Sequence, residues 1–137
     1  MIVVDASALV ALVAGDADEV EAVVQALLPD AQWAVPQHTL IEAVSALRSM
    51  TLRGSLPRDQ LADAVQRIVD FELDVWPTAP LLGRVLQLVD NVTAYDAAYL
   101  ALAEDLSTTL VTLDRRLATV PGVRCAVRVP DGSTSRP

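Results

Sequence analysis

With 137 residues, the chain is long enough for one domain with a substantial core. Apolar residues make up 53% of it and aromatics only 4%, which excludes global disorder and requires an aliphatic core. The net charge is −8 and all ten basic residues are arginine, which excludes a broad nonspecific nucleic-acid coating and every site built on lysine, from a Walker loop to a receiver domain.

The single cysteine, Cys125, rules out an intramolecular disulfide. The start, Met1 to Asp5, lacks a basic n-region and carries an acid inside its apolar stretch, so it reads as a buried strand rather than a signal peptide. No run reaches about 18 uninterrupted apolar residues; no membrane span is expected, and a reducing cytoplasm is the default.

Residues 2–4 form an apolar run that ends in Asp5 and reads as a central parallel strand. A short helix over 7–13 follows, closed by Gly15. Asp16 to Glu19 places acids at the positive end of the next helix, whose stripe is Val20, Val23, Val24, Leu27 and Leu28. Pro29-Asp30 stops it. Residues 32–35 read as a second strand, ended by Pro36. A long helix over 39–53 carries Leu40, Val44, Leu47 and Thr51 on one side and ends at Gly54. Pro57 sits near the start of another, with Leu61, Val65, Ile68 and Val69 as its stripe.

Residues 73–76 are a third strand. Pro80 opens a helix with Leu82, Val85, Leu86 and Val89 inward. The helix over 93–106 is rich in alanine, which allows close packing on a sheet. Residues 109–112 are a fourth strand, Asp114 begins a short turn, and 123–129 supply a last edge strand. Residues 131–137 form a polar, loose tail, leaving 1–130 as the domain. This alternation gives an α/β fold with a mostly parallel sheet of four to five strands flanked by helices. Such folds bind ligands beyond the carboxyl ends of the strands, where the strand order reverses.

Four acids stand at those places: Asp5, Glu42, Asp96 and Asp114. Each has a local explanation. Thr39-x-x-Glu42 and Thr93-x-x-Asp96 have the form of capping boxes, and Asp5 and Asp114 can be plain N-caps. Taken together they point further. An Asp after a fully apolar strand is costly to bury unless something pairs with it, and Asp5 has no cation nearby in sequence. Converging carboxylates repel, and a hard divalent cation held through oxygens, Mg²⁺ or Mn²⁺, relieves that repulsion. A zinc site of the nitrogen and sulfur type has only His38 and Cys125 to draw on.

Ser7 and Thr112 stand two residues from Asp5 and Asp114, where their hydroxyls either position a water or phosphate oxygen or cap the turn. Arg48, Arg53, Arg115 and Arg116 are candidate phosphate contacts; Arg115 and Arg116 stand out because they flank an acid. A His38–Cys125 nucleophile pair is a minor alternative. Trp33 and Trp76 read as packing anchors. Tyr95 and Tyr99, four apart, line a dimer seam or stabilise their helix.

The segments Val3-Val4-Asp5-Ala6-Ser7-Ala8, Leu40-Ile41-Glu42-Ala43-Val44, Ala94-Tyr95-Asp96-Ala97-Ala98 and Val111-Thr112-Leu113-Asp114-Arg115-Arg116, in this order and spacing, resemble PIN-domain proteins, specifically the VapC toxin family of toxin–antitoxin systems. The resemblance spans residues 2 to about 129. It implies a three-layer fold around a parallel sheet and a metal-dependent endoribonuclease, usually dimeric and inhibited by a cognate antitoxin. By position, Asp5, Glu42, Asp96 and Asp114 match the family's acidic quartet, and Ser7 and Thr112 its hydroxyl residues. Many relatives carry Asn where this chain has Ser45, which bears on a contact behind the metal site. A non-catalytic interaction module on the same scaffold is the competing reading. A dehalogenase-like phosphatase would want Asp at Ser7.

Overall fold

Ile2, Val3 and Val4 are all buried, because the strand they form, β1 (Ile2–Val4), is covered on both faces. A computed structural model describes residues 1–28 and 30–131. After β1 come α1 (Ala6–Ala14), α2 (Ala17–Leu27), β2 (Trp33–Pro36), α3 (Thr39–Leu52), α4 (Leu61–Val69), β3 (Leu73–Trp76), α5 (Leu82–Leu88), α6 (Ala94–Asp105), β4 (Leu110–Val111) and β5 (Val127–Arg128). The strands form one sheet in the order β3-β2-β1-β4-β5, and every pairing is parallel. β1 lies at the centre: β2 and β3 extend the sheet on one side of it, β4 and β5 on the other. The order reverses at β1, so the carboxyl ends of β1 and β4 are where a site belongs.

The pleat of β1 sorts its residues between two layers. Val3 packs with Ala34, Leu110, Leu81, Val85, Leu88 and the inner face of α6. Ile2 and Val4 pack with α1, α2, Val35 and Val111 on the opposite face. A third cluster joins Ala6, Val10 and Val13 of α1 to Ala43 and Leu47 of α3 and Ala64 and Ile68 of α4. Four of the five alanines of α6, Ala97, Ala98, Ala101 and Ala103, are buried, as a helix laid flat on a sheet requires; Ala94, at its start, is exposed. Trp33 meets Phe71 edge-on at 5.6 Å and donates its indole N–H to the Asp30 carbonyl; Trp76 donates to Asp74. Both are packing anchors.

Several apolar stripes differ from those the periodicity suggests. On α5 and its two caps the buried residues are Leu81, Val85 and Leu88, while Leu82, Leu86 and Val89 are 58%, 74% and 40% exposed. A 3₁₀ turn over Ala79–Leu81 precedes α5, and its tighter winding brings Leu81 inward in place of Leu82. On α3 the inward residues are Thr39, Ala43 and Leu47; the small Ala43 faces α1, and Val44 turns outward. Val24, Leu28 and Val69 are likewise exposed. The last strand is shorter than 123–129.

Gly54 ends α3 with φ +83°, a left-handed conformation natural to glycine. Gly15 closes α1 for another reason: a Cβ there would stand 2.6 Å from the Ala11 carbonyl oxygen. The expected loose tail over 131–137 falls, beyond Asp131, outside the described residues.

Candidate active site

Asp5 leaves β1 in extended conformation and caps α1, its Oδ1 accepting from the Ala8 amide at 3.1 Å. The capping reading is thus correct but incomplete. Oδ1 also accepts from Ser7 Oγ at 2.5 Å, and Oδ2 accepts from Thr112 Oγ1. These two hydroxyls stitch the ends of β1 and β4 together. Ser7 Oγ accepts from the Leu113 amide at 3.0 Å, and Thr112 Oγ1 accepts from the Asp114 amide at 3.0 Å. Asp5 is only 5% exposed, and no cation is among these partners. Burial pushes its carboxyl up to about 6 against the pull of the three hydrogen bonds, with the Glu42 charge adding to the rise.

Glu42 does not close a capping box. His38 precedes α3 without a side-chain cap, and Thr39 is fully buried as the first helical residue. Glu42 Oε2 accepts instead from the Tyr99 hydroxyl at 2.8 Å, which itself accepts from the Ala6 amide at 3.3 Å. Tyr99 therefore fixes Glu42 relative to the start of α1 from a position 1% exposed in α6. His38 Nε2 lies 3.4 Å from Glu42 Oε2, an ionic contact when the imidazole is protonated rather than an aligned hydrogen bond. Its ring packs against Tyr99 at 4.9 Å and Tyr95 at 5.8 Å. Burial pushes Glu42 up, but the His38 and Tyr99 contacts outweigh it, and the carboxyl lies below its usual range. Ser45 shares the rim of a pocket of about 250 Å³ with His38, Ile41, Glu42 and Tyr95.

Asp96 sits in the first turn of α6, where Thr93 Oγ1 accepts from its amide at 3.2 Å, one half of the expected box. Burial and then the charge of Glu42 raise its carboxyl, with Asp114 contributing further. It lines a cleft of about 490 Å³ with Asp90, Asn91, Thr93 and Arg116. Asp114 caps the turn Arg115–Thr119, and Arg116 grips both its oxygens, which holds it below the carboxylate range. Arg115 points elsewhere and meets Asp131 at 3.5 Å.

The acids are coupled in pairs: the Glu42 charge raises both Asp5 and Asp96, and the Asp114 charge adds to the rise at Asp96. Among the described residues, no three acids, imidazoles or thiols stand close enough to share one ion in this arrangement. The donor chemistry nevertheless fits a hard cation. All donors are oxygens, Asp5 is a buried carboxylate without a cation, and Glu42 raises the carboxyls of both Asp5 and Asp96. His38 and Cys125 belong to opposite ends of α6. Cys125 lies with Ala103, Glu104 and Arg124, and burial, with the Glu104 charge, pushes its thiol up to about 11, so it is no nucleophile pair. Sequence reasoning missed the part played by Tyr99. Its signal was present: a tyrosine three residues after Asp96, on the same helical face, inside a run of alanines.

The PIN domain family pattern matches residues 2–123, and the chain belongs to that family. Within it, the chain stands with the VapC ribonucleases. Ribonuclease VapC9 of Mycobacterium tuberculosis is 33% identical over 129 residues, covering 94% of this chain and 98% of the relative. Ribonuclease VapC1 of the same species is 34% identical over 128 residues, covering 93% and 96%. The crystal structure of PAE2754 from Pyrobaculum aerophilum superposes with a TM-score of 0.68 at 27% identity, covering 92% of this chain and 81% of that one. The VapBC2 complex of Rickettsia felis, bound to a DNA fragment from its promoter, shares the fold with a TM-score of 0.68 at 15% identity, covering 96% and 100%.

Proposed function

We propose that the chain is the toxin of a toxin–antitoxin pair, an endoribonuclease that hydrolyses RNA phosphodiesters with Mg²⁺ or Mn²⁺ bound at Asp5, Glu42, Asp96 and Asp114. The observation that carries this reading is Asp5: a carboxylate buried at the switch point of the sheet, wired by Ser7 and Thr112 to the strand that bears Asp114, and coupled to Glu42. The names of the relatives, VapC ribonucleases, support the substrate class.

When bound, the cation supplies Lewis acidity toward the phosphate and lowers the pKa of a water. The chain's own residues do the rest. Ser7, Thr112 and the Ala8 amide hold the Asp5 carboxylate in one orientation. Tyr99 keeps Glu42 turned toward the same edge, and Asp96 presents its carboxylate from the first turn of α6. Arg116, on Asp114 and at the rim of the Asp96 cleft, is the basic group for the phosphate; Arg115, turned to Asp131, takes no part. Attack by water needs no 2′-hydroxyl; with the P–O3′ bond broken and the 3′-oxygen leaving as a hydroxyl, the products carry 5′-phosphates.

The outward apolar side chains Ile41 and Tyr95 near the site and Leu82, Leu86 and Val89 on α5, with a mean hydropathy of +0.39, support a covering partner: a second copy of the chain and a cognate antitoxin. Among the described residues no helix is long and apolar enough to cross a membrane, and the proposed setting is the cytoplasm. The non-catalytic reading draws on the dispersed acids. One experiment separates the two. The purified chain, stripped of metal and then resupplied, is incubated with oligoribonucleotides and its cut ends are mapped. Mg²⁺-dependent cleavage with 5′-phosphate ends, lost in Asp96→Asn, is expected; full activity in Asp96→Asn, or no Mg²⁺-dependent thermal shift, overturns the assignment.

A further inference from the structure

Asp114 is the one acid of the four whose two oxygens are both held by a cation. Arg116 Nε donates to Oδ1 at 3.0 Å, Nη2 donates to Oδ2 at 2.6 Å, and the Arg116 amide donates to Oδ1 at 3.0 Å. A guanidinium fork satisfies a carboxylate on the same two atoms that a divalent ion would take. Asp5 differs: its partners are two neutral hydroxyls and an amide, which leave its charge uncancelled.

The fork is easily opened. The Arg116 side chain is 84% exposed, and an exposed ion pair holds its geometry only weakly. Arg116 also lines the cleft that contains Asp90, Asn91, Thr93 and Asp96, and among the described residues lining that cleft it is the one cation. An RNA phosphate entering there meets two acids and this single guanidinium.

We propose that Arg116 is an exchangeable counter-ion, which occupies Asp114 until a divalent cation takes it and then turns into the Asp96 cleft to hold the substrate phosphate. The proposal rests on the reading of the four acids as a cation site. It makes Arg116 a competitor of the metal and an ally of the RNA, two effects of opposite sign on one side chain. Arg115, equally charged and adjacent but directed at Asp131, supplies the control for charge alone.

The test is titration calorimetry of Mn²⁺ into the metal-stripped full chain, together with steady-state cleavage of an oligoribonucleotide at saturating Mn²⁺. Arg116→Ala is expected to bind Mn²⁺ about two- to fivefold more tightly than the parent, the range an exposed pair can supply, and by more than Arg115→Ala does. Its KM for RNA is expected to rise several-fold. Equal Mn²⁺ affinities in the two variants, or an unchanged KM in Arg116→Ala, overturn the exchange while leaving the cation site intact. A parent chain that takes up no Mn²⁺ at all overturns the cation site, and the exchange with it.

Discussion

The ends of β1 and β4 are neighbours in the sheet and each finishes in an aspartate that caps the turn after it, yet the two carboxylates live in opposite electrostatic regimes. Asp5 is buried among neutral donors and its carboxyl is pushed up to about 6. Asp114 is partly exposed, gripped by an arginine, and held below the usual range. The lesson is that capping decides where an acid sits but not what it can do. An acid whose partners are neutral keeps its charge available to a ligand; an acid with its own cation must first be released.

The sharpest way to break this comparison is to remove the charges. Asp5→Asn and Asp96→Asn are expected to lower RNA cleavage more than about 100-fold, beyond the losses typical of groups behind a metal site, with cooperative thermal unfolding retained. Thr112→Val removes the hydroxyl that joins the two ends. Cleavage is expected to fall about 10- to 100-fold, and urea denaturation should show a loss of about 1–3 kcal/mol from the Asp5 oxygen and Asp114 amide left without it.

A third test uses pH. The folded pKa of Asp5 lies above its unfolded value of 3.8, so the protonated form favours folding. That contribution is complete below about 3.8 and is lost as pH rises through about 6, a difference on the order of 3 kcal/mol. Glu42 and Asp114, both lowered, act in the opposite sense and are lost as pH falls. The difference between Asp5→Asn and the parent isolates the Asp5 effect. Without metal, the variant should gain stability relative to the parent between pH 4 and pH 7, and a flat difference would refute the burial argument. The smallest effect is expected from Tyr99→Phe, about 1–2 kcal/mol in urea denaturation, because the Ala6 amide and one Glu42 oxygen lose a partner that water can partly replace at Glu42.

Much of this was readable from the residues because the signals are local. A short apolar run ending in Asp5, the alanines after Asp96, and Pro36 and Gly54 as stops each act within a few residues, and the strands and helices fall close to where they indicate. The faces of α3 and α5 were not readable. Which side of an aliphatic helix turns inward depends on what packs against it: Ala43 faces inward because α1 comes close, and Leu81 because a 3₁₀ turn rewinds the approach. The four acids could be picked out by position, but not the partners that hold them. Glu42 seemed bound to Thr39, whereas its partner Tyr99 lies 57 residues away; the fork between Arg116 and Asp114 is a choice of side-chain rotamer, which spacing does not encode.

The centre of the sheet is made of residues from both ends of the sequence. Val3 and Val4 pair with Leu110 and Val111, and Asp5 takes one of its hydrogen bonds from Thr112, 107 residues later. A growing polypeptide therefore carries Asp5 for 107 residues before the hydroxyl that completes its pocket is added. The pocket around Asp5 can close only once Thr112 is in place, so a chain cut short before β4 would leave that carboxylate without the hydroxyl that holds its second oxygen.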